Sequence, residues 1–289
     1  MGEQLYNHIY ENKTLHIHFD TEPFDTYRQS LYNQYLKITK HWNDELNTAW
    51  IARHYQASKM ILSATLMLNS AQYAEESNLK VVEPYLYYYA ILSCARALIL
   101  TNPNLTWSDG SILNFTHKKT INITVDTIKL LDKEIANDIE KKILRARDYR
   151  ELFSYRFPLN GLRSLPPEVS ISLDETIDIC VILVELAQFN SEVMEQAYEK
   201  NCADKTFGYV EDVLEKCIRY ETDDNSFIDN DDFMRIGSIV QRQKKLYSIL
   251  LTMNAGMVED FFGSWVDDED TSGKMFNPDL YNGILFDFP

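Results

Sequence analysis

Glycine and proline are scarce in this chain, at 9 and 8 of 289 residues. Both are residues of tight turns, so turns are few and the elements long. Cysteine is sparse too. The four present (Cys94, Cys180, Cys202, Cys217) form no CxxC pair, and Cys94 and Cys180 lie in apolar runs as small core residues. Positive charge is the deficient sign: 28 Lys and Arg face 44 Asp and Glu, for a net charge of −16. That balance excludes a general nucleic-acid coat, because phosphate binding is dominated by Lys and Arg. The chain has no P-loop, GxGxxG, GxSxG or HExxH. Nucleotide hydrolysis and zinc proteolysis therefore have no support, and no cofactor is expected.

The first residues, MGEQLYNHIYENK, hold no apolar stretch of the kind that directs secretion, so a reducing cytoplasm is the expected setting. Four N-x-T sequons (Asn12, Asn104, Asn114, Asn122) carry little weight without secretion. The apolar run Tyr85–Leu100 contains Arg96 and four tyrosines and is followed by Pro103, which favours a buried core helix over a membrane span. Asp223–Asp232 superficially resembles a calcium loop but lacks its central glycine and terminal glutamate. His16 and His18 sit two apart with no third ligand in evidence, and no metal site is expected.

Against these absences stands one basic segment, KKILRARDYRELFSYRFPLNGLR, at residues 141–163. Seven basic residues (Lys141, Lys142, Arg145, Arg147, Arg150, Arg156, Arg163) outnumber Asp148 and Glu151 there. The negative charge is concentrated elsewhere: residues 201–289 hold 8 basic against 18 acidic, a net of −10. Such a region is a solvated face, or it covers a basic surface on this chain or a partner. Ile135, Ile139, Ile143, Ala146, Arg150, Phe153 and Phe157 recur at helical spacing as one stripe, which puts Arg150 on a core-facing line. A guanidinium there is either paired with a carboxylate or held for an anionic ligand, because an unpaired buried charge is strongly disfavoured.

Along the chain, residues 14–20 (TLHIHFD) alternate and read as a short strand. A helix follows from about Asp25 to His41, and a long one from Asp44 to about Glu76. Pro84 opens the next helix, which ends at Asn102-Pro103. Asn104–Thr120 reads as a loop containing Trp107, Gly110 and His117. A helix from about Asp132 to Phe157 stops at Pro158, and Ser172–Glu175 is a capping box opening a helix to about Lys200. Phe207–Glu221 is amphipathic, 223–232 an acidic loop, and Phe233–Met253 a helix interrupted at Gly237. The tail 274–289, with Phe276, Tyr281, Phe286 and Phe288, docks on the body. The expected fold class is all-α: a four-helix antiparallel bundle over 44–200, an N-terminal strand and helix addition over 1–43, and an acidic helical extension over 201–289. On neighbouring helices, Arg96 and Arg150 face the isolated acids Asp178 and Glu185, so buried ion pairs among them are one reading of all four. The other places Arg150 in a cleft with Arg147, Tyr155 and Arg156, where forked guanidiniums meet phosphate.

YYYAILSCARALILT, a loop ending THKK, and RARDYRELFSYRFP together resemble the HEPN superfamily of helical bundles, nearest to the YaaC-like group of bacterial proteins. The resemblance covers roughly residues 44–200. It implies an arginine that binds a scissile phosphate, matched here by Arg150, and a histidine a few residues on for acid–base catalysis, often across a homodimer. Tyr155 stands at the histidine's position, and tyrosine, with an ordinary pKa near 10, is a poor base at neutral pH. The resemblance thus implies a degenerate, non-catalytic protein binding RNA or a protein subunit, in bacterial defence, toxin–antitoxin or stress complexes. Arg147, Arg150 and Arg156 would be its ligand-binding residues. The alternatives are a metal-independent endoribonuclease using Arg150 with Tyr155 and His117, and an assembly subunit with no RNA contact.

Overall fold

A computed structural model describes residues 12–106, 111–166, 168–221, 225–242, 246–253, 255–265, 276–277 and 283–285. Eleven α-helices occur among them: α1 (Lys13–His18), α2 (Thr21–Thr39), α3 (Asp44–Glu76), α4 (Glu83–Leu100), α5 (His117–Lys129), α6 (Lys133–Tyr155), α7 (Leu173–Cys202), α8 (Glu211–Ile218), α9 (Asn230–Arg242), α10 (Ile249–Thr252) and α11 (Ala255–Gly263). A two-stranded antiparallel hairpin, β1 (Arg219–Glu221) and β2 (Ser226–Ile228), links α8 to α9. The protein is an all-α helical bundle. No helix among the described residues is long and apolar enough to cross a membrane.

Local chemistry starts the long helices. Asn43 accepts a hydrogen bond from the Leu46 N–H at 2.8 Å, and Asp132 accepts one from Ile135 at 2.8 Å. Pro84 occupies the first turn of α4, and the Ser172–Glu175 capping box opens α7. α4 is the hub, packing on α3, α5, α6 and α7, while α2 lies on α7. Buried tyrosines find partners for their hydroxyls: Tyr27 donates to Asn190 at 2.8 Å, Tyr87 to Glu75 at 2.8 Å, and Tyr35 to the Thr101 carbonyl. The cysteines Cys94, Cys180, Cys202 and Cys217 are free and buried.

α3 is buried without a break from Asn47 to Ser58. One side meets α4. The other meets α8, α9, α10 and α11. Polar contacts fasten that second side. Asn47 donates to the Gly208 carbonyl at 3.1 Å, Thr48 accepts from Val210 at 2.9 Å, and Tyr55 donates to Asp232 at 2.9 Å.

Four expectations need correction. Residues 14–18 lie in helix α1, and Phe19 and Asp20 follow its end, where a strand over 14–20 was expected. Leu15 and Phe19, four apart, are buried while Ile17 between them is exposed, so the short alternation conceals a helical pair. His16 and His18 consequently lie on different faces. Second, α5 begins inside the expected loop, at His117. Its Thr-rich sequence has low helix propensity, yet Thr120, Ile121, Thr124, Val125 and Ile128 form a buried stripe, and Thr116 caps it by accepting from Lys119 at 3.3 Å. Third, α9 runs through Gly237 uninterrupted to Arg242, and the next helix among the described residues begins at Ile249. Fourth, the acidic segment 223–232 is partly β2 and partly the start of α9. Trp107, Gly110, Asp223, Asp224 and most of the tail, including Tyr281, Phe286 and Phe288, lie outside the described residues. Within the tail, Phe276 packs on Tyr73 with ring centroids 5.6 Å apart, and Leu285 is buried.

Candidate functional site

The apolar stripe of α6 carries Arg150 inward, as its spacing requires. Its side chain is only 13% exposed. The guanidinium carbon lies 4.9 Å from the Tyr88 ring centroid and 5.9 Å from that of Tyr89, both on α4. One terminal nitrogen donates to its chain neighbour Glu151 at 3.1 Å, and the buried Nε has no partner. Two turns further along α4, the half-buried Arg96 also has a buried Nε with no partner. Burial lowers its pKa, opposed by the nearby Tyr88 and Tyr89.

His117, the first residue of α5, closes the group. Its Nδ1 is 3.0 Å from the Tyr88 hydroxyl, and its ring lies 5.6 Å from that of Tyr88 and 6.0 Å from that of Tyr89. Desolvation lowers the His117 pKa first, and Arg96 and Arg150 lower it further. The positive end of α5 acts in the same direction. All three effects disfavour the protonated imidazole, whose Nδ1 is already engaged by Tyr88. Three elements thus assemble two cations, an imidazole and two phenols. Such a set suits an anion: forked donors take the oxygens, and the imidazole gives or accepts a hydrogen bond without adding charge.

The other sequence candidates separate from this group. Tyr155 is 75% exposed, one turn past Arg150, and has no contact with His117. Arg147 is part-exposed and held by Asp148 at 2.7 Å, which is the main reason its pKa is raised. Arg156 is exposed with no ion pair among the described residues. The buried ion pairs are corrected. Glu185 is buried, but its carboxylate accepts from the Leu15 N–H at 3.0 Å and holds the start of α1. Asp178 is exposed and lines a small cavity of about 310 Å³ beside His18 and Lys142. Neither carboxylate reaches Arg96 or Arg150, because α7 turns these positions toward α1 and α6's outer side.

Two further charged groups gave no sequence signal. Arg53, buried on α3, donates to the carbonyls of Leu100, Asn102 and Leu105 at 2.6, 2.6 and 3.0 Å and stacks over Trp50 at 3.9 Å. It closes the C-terminal end of α4, and burial lowers its pKa to about 10. In the acidic third, a cleft of about 850 Å³ is lined by Tyr55, Lys59, Tyr220, Asp232, Arg235 and Trp265. Lys59 pairs with buried Asp232, and Arg235 with Asp260, while Asp229, Asp231 and Glu259 also line the cleft and leave it with a surplus of negative charge. No group of three or more His, Cys, Asp or Glu among the described residues is placed to hold a metal. No protein-family model matches the chain, and no curated protein or solved structure matches it.

Proposed function

We propose that the protein binds RNA, taking a backbone phosphate between Arg96 and Arg150 beside His117, as a degenerate HEPN-like bundle. One observation carries the reading: two guanidiniums, each with a buried and unpartnered Nε, lie beside a histidine ring with no carboxylate from the core to answer them. Glu151, about half exposed, offsets only part of that charge. An under-satisfied buried cation is costly, and a phosphate supplies the missing acceptors. The exposed Arg156, just past the end of the same helix, adds positive charge for the flanking backbone. A bacterial defence, toxin–antitoxin or stress setting is the one the HEPN resemblance implies.

A second reading, metal-independent RNA cleavage, is favoured by the bond of His117 to Tyr88 and by the downward shift of its pKa through burial and the two arginines. In that reading His117 takes the acid–base part, and Tyr155 has none.

Both are tested with a fluorescein-labelled RNA strand, titrated at low salt against the parent, Arg150→Met and Arg96→Met. Methionine keeps the packing and removes an unsatisfied charge, so both variants fold with parental stability. The expected result is binding by the parent, loss of tenfold or more in each variant, and a salt slope reduced by about 1 per lost phosphate contact. RNA retained equally by all three proteins, or by none, overturns the reading. Product formation in EDTA that His117→Ala abolishes would establish cleavage.

A further inference from the structure

The backbone is strained at one exposed aromatic beside this site. Phe157 has φ 41°, a left-handed conformation. It follows Arg156 at the end of α6, and the N–H groups of both residues donate to the Leu152 carbonyl at 2.9 Å. Glycine is the usual occupant of such a position, because a Cβ is disfavoured there. Pro158 follows, which further disfavours helical conformations in the residue before it. A few residues on, at φ 57°, the chain does use glycine, at Gly161. Phe157 contributes little to the core in return, for it is 63% exposed. Its ring is nevertheless held: it meets buried Phe153 edge-on at 6.0 Å, and Phe153 meets Tyr149 edge-on at 5.4 Å. Tyr155 and Leu159 are exposed on either side, with Arg156 between. Along α6, Arg150 and Phe157 are about 10 Å apart.

A fixed, exposed aromatic ring next to a phosphate-binding arginine pair is the arrangement that recognises unpaired nucleotides, whose bases can leave the stack and lie on a ring. Bases in a duplex cannot do so. We infer that the RNA taken at this site is single-stranded, and that Phe157 is the platform on which one of its bases stacks. This inference rests on the RNA reading above and adds the strand class and the residue that selects it.

Phe157→Gly is the decisive variant because its structural and functional effects have opposite signs. Glycine relieves the left-handed backbone, so the melting temperature holds or rises. Loss of the platform weakens binding of a labelled ten-nucleotide oligoadenylate by about 5- to 100-fold, and Phe157→Trp restores it. A duplex of oligoadenylate with oligouridylate binds more weakly than the single strand and is indifferent to Phe157→Gly. If Arg150→Met abolishes single-strand binding while Phe157→Gly leaves it unchanged, the platform is overturned and the phosphate site stands. If the duplex binds as tightly as the single strand, the strand preference is overturned. If the parent holds neither RNA, the RNA reading fails and this inference with it.

Discussion

His54 makes the stability of this protein depend on pH in a way that can be worked through. It sits inside α3, buried, with Nδ1 2.7 Å from the Tyr247 carbonyl and Nε2 without a partner. Desolvation lowers its pKa from 6.5 to about 4; the Tyr247 carbonyl opposes that fall and the neighbouring Arg53 adds to it. As pH drops below about 6.5 the unfolded chain takes up a proton at this residue while the folded chain does not, so unfolding is favoured. Stability from this residue is complete above pH 6.5, declines as pH falls, and levels off near pH 4. At about 1.4 kcal/mol per pH unit, the full loss is about 3 kcal/mol, and about 2 kcal/mol is gone by pH 5. His54→Gln keeps an amide N–H for Tyr247 and does not titrate. Urea denaturation of parent and variant at pH 7.5 and pH 5 isolates the effect, since all other titrating groups are common to both. The parent should lose about 2 kcal/mol more than the variant over that interval. Parallel losses in the two proteins would refute the reasoning.

Two further outcomes follow from buried polar contacts. Glu185→Leu leaves the Leu15 N–H without its acceptor, costing about 1–3 kcal/mol, and hydrogen exchange should show lost protection confined to α1. Asp232→Ala strands Lys59, whose side chain is largely buried, and removes the acceptor of Tyr55; urea denaturation should show a loss of about 3 kcal/mol, and Lys59→Met combined with Asp232→Leu should recover most of it.

The long helices were legible because their start signals are local. Asn43, Pro84, Asp132 and the Ser172–Glu175 box each announce a helix within four residues of chain. α1 and α5 were not, for opposite reasons. A six-residue helix shows too little sequence to distinguish a period of 3.6 from one of 2, and α5 forms through burial of Thr120 and Thr124 against their propensity. Arg150 was legible from periodicity alone. Its surroundings were not: Tyr88 is hidden among equivalent tyrosines, and His117 meets it from 29 residues away. Pairing of Arg96 and Arg150 with Asp178 and Glu185 failed because charge matching across neighbouring helices does not give their rotation about their own axes. A backbone N–H from α1 claimed Glu185 instead.

The burial of α3 on all sides also has a consequence in time. Its second face is completed by Gly208, Val210, Asp232 and Tyr247, which lie 161 to 193 residues beyond their partners. A ribosome adding about 5–20 residues per second needs on the order of 7 to 27 s to travel from the end of α3 to the start of α8. Through that interval the emerging chain carries a finished helix with half of its coat missing. Faster synthesis shortens the exposure, and a pause shortly after residue 200 prolongs it. The time for which this face of α3 stays uncovered is therefore set by how quickly the last third of the chain is made.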